Sequence, residues 1–209
     1  MRSSLVVTPV SISISISISI SLALVCAFGC ATTTDGPVAG PMRARDLVPL
    51  AVGNSWEYRV SADGPAASSS VTIVDKSADG YFIDNRGNRL APRSDGLFDG
   101  DRFLVQEPLE EGHSWIAVPK DQPSVVEKYR IASVAASISV PAGTFEHCVE
   151  VEAEQTLQQG VMKMVWTFAP GVGLIKIQQR VTPTGESERT TMTMELVRFQ
   201  VQPAGTPSS

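Results

Sequence analysis

Apolar and polar side chains alternate along much of the chain after residue 54. The alternation runs through SWEYRV, SSVTIVD, FEHCVEVEAEQ, GLIKIQQRV and RTTMTMELVRFQV. In FEHCVEVEAEQ, for example, Val149, Val151 and Ala153 alternate with three glutamates. A period of two is typical of a strand with one buried face and one solvated face. The pattern therefore predicts that most of the chain forms β-strands.

Short turn sequences separate these stretches and indicate how the strands connect. They include ADG twice, NRGN, SDG, DGD, PAG, PGVG and PTG, and residues of these types are the usual material of β-turns. No stretch shows a long period of 3.6 residues with helix caps. We therefore predict an all-β domain, with a mainly antiparallel curved sheet of about eight to ten strands, open or half-closed like a barrel.

The most regular alternation, SISISISISI at residues 11–20, has flanks that point to another role. Arg2 is the only charged residue before Asp35, and AFG, which ends in the small residue Gly29, precedes Cys30. A basic start, an apolar middle and small residues at the cleavage point are the order of a secretory signal. We therefore interpret residues 1–29 as a signal peptide rather than as a strand.

The residues around Cys30 resemble the lipobox of bacterial lipoproteins, in which the mature chain begins at an acylated cysteine. Gly29 matches the small residue expected there, whereas Ala27 and Phe28 match less well. Acylation of Cys30 with palmitate or similar chains would anchor the protein stably to a membrane. An ordinary cleaved signal stays open, as does an uncleaved anchor, because the uncharged run exceeds the roughly 18 residues of a spanning helix.

The residue after Cys30 bears on location. Ala31 stands there instead of aspartate, which resembles lipoproteins sent to the outer membrane of diderm bacteria. The predicted location is the cell envelope, on the periplasmic face of the outer membrane in a diderm. In a monoderm it would be the outer face of the cytoplasmic membrane.

The remaining chain divides into three parts by composition. Residues 30–46 are small, polar and interrupted by glycine and proline, which is typical of a flexible tether. Residues 47–201 carry the alternating pattern and are predicted to form a single β-rich domain. Residues 202–209 hold too few apolar side chains to fold, so we expect a disordered tail.

Charge and cysteine content limit the possible partners. The whole chain has a formal net charge of −5, and removal of Arg2 with the signal makes it −6. An acidic chain without a basic patch argues against a nucleic-acid partner. Once Cys26 is cleaved off and Cys30 is acylated, Cys148 is the one thiol left, and we predict that it is a small buried hydrophobe.

Two segments share the pattern Pro-Leu-x-x-Gly-x-Ser-Trp. They are PLAVGNSW at residues 49–56 and PLEEGHSW at 108–115, and each precedes a predicted strand. The glycine permits a tight turn, and the leucine and tryptophan can then pack on one apolar surface. The two copies are predicted to be matched strand starts, with Trp56 and Trp115 as core anchors.

These segments also belong to an ordered set of motifs. PLAVGNSWEY, PLEEGHSW, VPAGTFEHCVEV and FAPGVGLIKI resemble the motifs of a widespread group of uncharacterised bacterial secreted proteins and lipoproteins. Those motifs are PLxxGNxWxY, PLxxGxxW, AGxFxxC/V and APGVGLVK, and the resemblance spans about residues 49–177. Ile175 stands where the group usually has valine. The resemblance implies a β-rich envelope domain and brings no activity and no catalytic residue.

Candidate ligand-binding residues come from the late strands and the two tryptophans. Four methionines recur with a period of two on two predicted strands, and methionine suits an adaptable apolar lining, although a plain core explains them equally well. We expect a non-enzymatic protein that binds an apolar ligand or an envelope partner protein, without a cofactor. The candidate residues are Met162, Met164, Met192, Met194, Trp56 and Trp115.

The alternative function is an envelope hydrolase that uses His113 and Cys148. The chain has two histidines, and His147 adjoins Cys148, but neighbours on a strand point to opposite faces. His113 could meet Cys148 across strands, so their convergence in a pocket would support an enzyme. The sequence contains neither a GxSxG elbow nor an HExxH motif.

An oxygen-rich segment, DNRGNRLAPRSDGLFDGD, raises the question of calcium. Its side chains are of the kind that calcium binds, but the spacing differs from an EF-hand loop and Asp-Gly is common in turns. We favour turns and predict no metal site. The residues concerned are Asp84, Asn85, Asn88, Asp95, Asp99 and Asp101.

Overall fold

The computed structural model describes residues 41–62, 64–120 and 122–202. The predicted signal peptide, Cys30, most of the predicted tether and nearly all of the predicted tail lie outside these residues. The described elements are α1 (Ala44–Leu47), β1 (Ser55–Ala62), β2 (Ala67–Lys76), β3 (Phe82–Asp84), β4 (Arg89–Arg93), β5 (Gly96–Phe98), β6 (Phe103–Gln106), β7 (Ser114–Ala117), β8 (Glu127–Val140), β9 (Gly143–Leu157), β10 (Gly160–Ala169), β11 (Gly173–Pro183) and β12 (Arg189–Gln200). No helix among the described residues is long and apolar enough to cross a membrane.

All the strands belong to one antiparallel, barrel-like sheet. The strand order is β6-β5-β4-β3-β2-β1-β12-β11-β10-β9-β8-β7, and every neighbouring pair is antiparallel. The all-β, mainly antiparallel prediction is confirmed. The described residues form 12 strands rather than about eight to ten. The number was underestimated because β3 to β6 have only three to five residues each. Strands that short are hard to tell from turns by alternation.

The sheet consists of two six-stranded meanders. Strands β1 to β6 form the first and β7 to β12 the second, and β1 pairs with β12 from Ser55↔Gln200 to Ala62↔Met192. At the other junction, no backbone ladder joins β6 to β7 within the described residues. We call this junction the seam. A side chain crosses it, since the Trp115 Nε1 donates to the Phe103 carbonyl at 3.0 Å.

The two Pro-Leu-x-x-Gly-x-Ser-Trp segments begin the two meanders with the same hydrogen bonds. In the first, Gly53 N–H donates to the Ile73 carbonyl at 2.8 Å and Ile73 N–H donates to the carbonyl of the next residue, Asn54, at 2.9 Å. In the second, Gly112 and Ile131 make the equivalent bonds, at 2.8 and 2.9 Å, around His113. Gly53 and Gly112 have φ values of 95° and 88°, which only glycine adopts readily. The predicted matched strand starts are therefore present.

The helix α1 closes one end of the barrel, which we call the plugged end. Ala44 and Leu47 are fully buried, and Gly171 N–H in the β10–β11 turn donates to the Asp46 carbonyl at 2.8 Å. Arg43 and the Ala44 N–H both bind Glu107, at 2.5 and 3.0 Å. The folded domain thus begins before residue 47. The polar composition of residues 30–46 hid this start, because only two apolar side chains of α1 enter the core.

The opposite end, which we call the mouth, holds the turns that follow β3 and β5. Consecutive antiparallel strands alternate in direction, so these two turns lie away from the β4–β5 turn. The β4–β5 turn belongs to the plugged end, because its Ser94 carbonyl accepts a hydrogen bond from Arg43 at 3.2 Å. The longer strands β8 to β12, β1 and β2 form one wall, and the short strands β3 to β7 form the other. The mouth is consequently half open.

Candidate functional site

A cavity of about 510 Å³ lies inside the barrel between the plugged end and the mouth. Its size falls within the range of about 300–1,000 Å³ that small-molecule pockets occupy. We call it the inner cavity. Most of its lining is apolar, and the polar members stand together on β3 to β5. The lining residues are Val48, Leu50, Trp56, Tyr58, Val71, Ile73, Asp84, Gly87, Asn88, Arg89, Leu90, Leu97, Asp99, Leu104, Trp166, Phe168, Leu174 and Met194.

Strand β1 presents two aromatic side chains to the inner cavity. Trp56 and Tyr58 are two residues apart and therefore share a face, and both are buried at 4% exposure. The Trp56 Nε1 donates to the Val172 carbonyl at 2.6 Å, and the Tyr58 hydroxyl donates to the Leu174 carbonyl at 3.0 Å. Burial raises the pKa of Tyr58, only partly offset by the nearby Arg86 charge. Both rings are thus fixed to β11 and its turn by protonated donors.

Two aspartates, Asp84 and Asp99, lie at the mouth. Phe82 and Asp84 lie two apart on β3, and Leu97 and Asp99 are two apart at the end of β5, so each aspartate continues an inward-facing row. Each Oδ1 accepts two backbone N–H groups of the turn that follows, at 2.8 to 2.9 Å. One oxygen of each carboxylate therefore stabilises the turn, and the other is available to side chains.

The second oxygens of the two carboxylates have different partners. Asp84 Oδ2 accepts from the Asn88 Nδ2 at 2.8 Å, whereas Asp99 Oδ2 lies 3.4 Å from the Arg102 Nε. Arg89 is the one basic residue in the described lining of the inner cavity. Its guanidinium binds Asp79 at 2.8 Å and lies 4.1 Å from the ring centre of Tyr81. The positive charge of Arg89 is therefore engaged outside the cavity.

A smaller cavity of about 260 Å³ lies beside the inner cavity. We call it the side cavity, and Trp166 lines both. A stack of aromatic rings crosses the inner face here, with 5.2 Å between the ring centres of Trp115 and Tyr129 and 5.7 Å between Tyr129 and Trp166. Tyr129 is paired with Ala153 on β9, and this small residue leaves room for the two rings to meet above it.

A polar network borders the side cavity. The Tyr129 hydroxyl donates to Glu127 Oε2 at 2.6 Å, and the Arg102 Nη1 donates to both oxygens of Glu127 at 2.9 and 2.8 Å. Burial and the bond to Glu127 raise the pKa of Tyr129, so its hydroxyl stays a donor. Because Arg102 precedes β6 and Glu127 begins β8, this network also joins the two sides of the seam.

The six predicted ligand residues take different places. Trp56 and Met194 line the inner cavity, and Met162 and Met164 line the side cavity. Met192 lines neither of these cavities, and Trp115 is a buried member of the aromatic stack that lines neither of them. Met164 and Met192 both pair with Gln179 on β11, so the methionines do share one face of the sheet.

Several residues that line the inner cavity were not predicted from the sequence. Trp166 and Phe168 continue the two-residue period of Met162 and Met164 along β10, and that alternation in VMKMVWTFA was a signal that could have found them. The sequence did not distinguish Asp84 from an ordinary turn residue, because Asp84 also accepts the backbone N–H groups of the β3–β4 turn. Its position in the cavity wall depends on the pairing of β3 with β2.

His113 and Cys148 do not converge. His113 lies opposite Ile131, which pairs with Val151, and Cys148 is three residues earlier in β9. Two strand spacings and three residues place their Cα atoms on the order of 14 Å apart. His113 packs on Trp115, at 5.8 Å between ring centres.

The environment of Cys148 also differs from that of a reactive thiol. Cys148 is completely buried. This burial first, and the charges of Glu150 and Glu146 second, raise the pKa of the Cys148 thiol to about 11. A nucleophilic cysteine needs a lowered pKa, so the hydrolase hypothesis loses its two residues.

The oxygen-rich segment forms turns. Asp84 and Asp99 accept backbone N–H groups, Asn85 Oδ1 accepts from the Thr72 N–H at 3.0 Å, and Asp101 accepts from the Lys120 N–H. Within the part of the chain that the structure describes, no group of three or more His, Cys, Asp and Glu side chains is placed to hold a metal ion.

Comparisons with known proteins give little beyond this geometry. No family model matches the chain, and no curated protein matches it. Two solved structures are similar to it, each with a TM-score of 0.40. In both cases the matched region covers 74% of this chain and 98% of the other protein's chain. One, at 12% identity, is a protein from Bacteroides fragilis with a YmcC-like fold that is provisionally named as exported. The other, at 11% identity, is a protein from Parabacteroides distasonis provisionally named as a lipoprotein.

Proposed function

We propose that this protein is a non-enzymatic, lipid-anchored envelope protein whose β-domain holds an apolar ligand in the inner cavity. The observation that carries the proposal is the cavity itself, about 510 Å³ in volume and walled mainly by apolar side chains. Cavities of this size and lining are where proteins bind small apolar molecules. Burial of a ligand there is favourable by about 25 cal/mol per Å² of apolar surface removed from water.

The shape of the barrel supports entry of a ligand from one end. The helix α1 closes the plugged end with fully buried Ala44 and Leu47. At the mouth, the short strands β3 to β6 leave the long wall of β10 to β12 without an equally tall partner. A ligand therefore enters between the turns that carry Asp84 and Asp99.

The anchor part of the proposal comes from the N-terminal sequence. The order of Arg2, an uncharged run and AFG before Cys30 supports a lipoprotein signal, and Ala31 supports the outer membrane in a diderm. The ordered motifs over residues 49–177 support membership of the group of uncharacterised secreted proteins and lipoproteins that they resemble. An envelope location would bring the cavity close to lipids and other amphiphiles.

Acylation is tested by metabolic labelling with an alkyne analogue of palmitate. The full chain is expected to take up the label and to fractionate with membranes, and the Cys30→Ser variant is expected to do neither. Cys148→Ala serves as the matched control and should behave as the wild type. Labelled Cys30→Ser protein would contradict the assignment of the anchor.

Ligand binding is tested by native mass spectrometry of a chain from Ala31 to Ser209. Every described element and both buried apolar clusters lie within residues 41–202, so this chain keeps all of them. After secretion to a bacterial periplasm and purification without detergent, we expect an additional mass that disappears on denaturation. If only the bare chain is observed and added dodecanol does not bind, the cavity holds no apolar ligand, and cross-linking in the envelope would then look for a partner protein.

A further inference from the structure

We propose that the inner cavity takes a single-chain amphiphile tail first and that Asp84 holds an amine or another hydrogen-bond-donating head group at the mouth. This inference rests on the proposed function and specifies the chemistry of the ligand. Two features of the wall carry it, namely a buried carboxylate without a basic partner and an apolar interior behind it.

Asp84 is a carboxylate in the cavity wall with 6% exposure. The Asp84 carboxylate accepts hydrogen bonds from three N–H donors, which are the backbone groups of Arg86 and Asn88 and the Asn88 side-chain amide, each at 2.8 Å. Within the described residues, no side-chain nitrogen of Lys, Arg or His lies within 4.0 Å of the Asp84 carboxylate. A carboxylate can accept about four hydrogen bonds, so Asp84 keeps capacity for one more donor.

The surrounding charges favour a donor over an anion. The arginines nearest in the chain point elsewhere, since Arg86 Nη2 donates to the Ser70 carbonyl at 3.0 Å and Arg89 binds Asp79. Asp99, the other carboxylate of the lining, is already paired with Arg102 at 3.4 Å. An anionic head group would therefore meet the unpaired charge of Asp84, whereas an ammonium group would neutralise it through a charge-assisted hydrogen bond.

The apolar part of the cavity accepts the tail. From the mouth inward the wall changes from Asp84 and Asn88 to Leu90 and Leu97, and it ends at Val48, which directly follows α1. A tail that enters at the mouth thus runs toward the plug, with the indole of Trp56 beside it. Each added methylene is expected to strengthen binding about three- to fourfold until the cavity is full.

The test compares three probes of equal chain length on the chain from Ala31 to Ser209. Dodecylamine and dodecanoate are titrated at pH 7 below their micelle-forming concentrations and dodecanol below its solubility limit, and tryptophan fluorescence and calorimetry report Kd. We expect dodecylamine to bind at least tenfold more tightly than dodecanoate, because a hydrogen bond to a charged group has this effect or more. An octyl, decyl and dodecyl amine series checks that the tail lies in the apolar part.

Two variants localise the selectivity. Asp84→Asn removes the charge and retains an oxygen for the turn, so it should reduce the preference for amine to less than threefold while dodecanol binding stays within threefold. Asp75→Asn is the matched control, because Asp75 is an exposed carboxylate on β2 outside the lining. Circular dichroism shows whether Asp84→Asn folds, and if it does not, the wild-type comparison of the three probes decides.

The outcomes separate this inference from the proposed function. Binding of dodecanol with equal or tighter binding of dodecanoate than of dodecylamine would overturn the assignment of Asp84 and leave an apolar cavity in place. A preference for amine that survives in a folded Asp84→Asn variant would also overturn it. Failure of all three probes to bind would contradict the proposed function itself.

Discussion

The indole nitrogen of Trp115 donates a hydrogen bond across the seam to the carbonyl oxygen of Phe103, 3.0 Å away. The two residues belong to β7 and β6, the outermost strands of the sheet order. Strands that are neighbours in this order are joined by backbone pairing. Between its two ends, β6 and β7, a side chain makes the connection instead. We therefore expect the barrel to open first along the seam.

Replacement of Trp115 by phenylalanine tests this expectation. The variant keeps an aromatic ring in the stack but removes the donor, which costs about 1 kcal/mol. Amide hydrogen exchange in β6 and β7 should become about fivefold faster, since local opening follows that free energy. Trp166→Phe is the control, because it changes a ring in the same stack without touching the seam. Equal exchange in the two variants would mean that this bond does not hold the seam.

Asn54 and His113 occupy equivalent positions in the two repeated segments but differ in their side-chain partners. Asn54 is 1% exposed, and its side chain donates to the Pro49 carbonyl at 2.6 Å and accepts from the Gln202 N–H at 2.9 Å. The buried Nε2 of His113 has no hydrogen-bond partner among the described residues. We expect Asn54→Ala to lower the free energy of unfolding by about 2 kcal/mol, because it removes two hydrogen bonds and leaves the buried Pro49 carbonyl without its partner.

His113→Ala is the matched comparison for that measurement. It removes no hydrogen bond of the side chain and is expected to cost about 1 kcal/mol through lost packing on Trp115. Urea denaturation of both variants measures the difference. A larger loss for His113→Ala than for Asn54→Ala would contradict the stabilising role assigned to the hydrogen bonds of Asn54.

The raised pKa of the Cys148 thiol, about 11, predicts a loss of stability at alkaline pH. The unfolded chain binds the thiol proton less tightly, so unfolding releases a proton between the two pKa values and becomes easier as pH rises. Below the unfolded pKa this stability is fully present. Between pH 9 and 10 the thiol should account for a decrease of about 1 kcal/mol in the free energy of unfolding.

Comparison with Cys148→Ala isolates this effect. Both proteins are unfolded in urea at pH 8, 9 and 10, and the difference between them should shrink in favour of the variant as pH rises. Tyr58, whose pKa is also raised by burial, is present in both proteins and cancels. If the difference in the free energy of unfolding between the two proteins did not change with pH, the pKa of the thiol would not differ between the folded and the unfolded chain.

Met194 and Met192 provide a matched pair for the inner cavity. They lie two residues apart on the same face of β12, but only Met194 lines that cavity. A tryptophan in place of Met194 should fill part of the cavity and weaken dodecanol binding at least tenfold, whereas Met192→Trp should leave the Kd within threefold. Calorimetry gives both values. Equal effects would place the ligand outside the inner cavity.

The extent to which sequence predicted this fold differs between its two walls. Long alternating strands such as β9 were visible, and its Val149, Val151 and Ala153 are buried as the alternation with glutamate indicates. The short wall was not visible, because strands of three to five residues between Asp-Gly turns contain too few positions to show a period. The strand number was therefore underestimated.

The candidate site shows the same division. Trp56 and Met194 were named from local patterns and line the inner cavity, whereas Met192 has the same period and lines no part of it. Period two reports only the face of a strand. Whether a position on that face borders a cavity depends on the height of the opposite wall, which distant residues form.

By itself the sequence determined the class of the fold, the face on which each long strand buries its side chains, and the two matched strand starts at Gly53 and Gly112. These properties are local, because they follow from side-chain alternation and from backbone angles within a few residues. Only the tertiary structure decided that α1 plugs one end, that Trp115 crosses the seam, that His113 stays away from Cys148, and that Asp84 enters an apolar wall. These relationships join residues far apart in the chain, and they depend on strand order and register, which a local pattern does not specify.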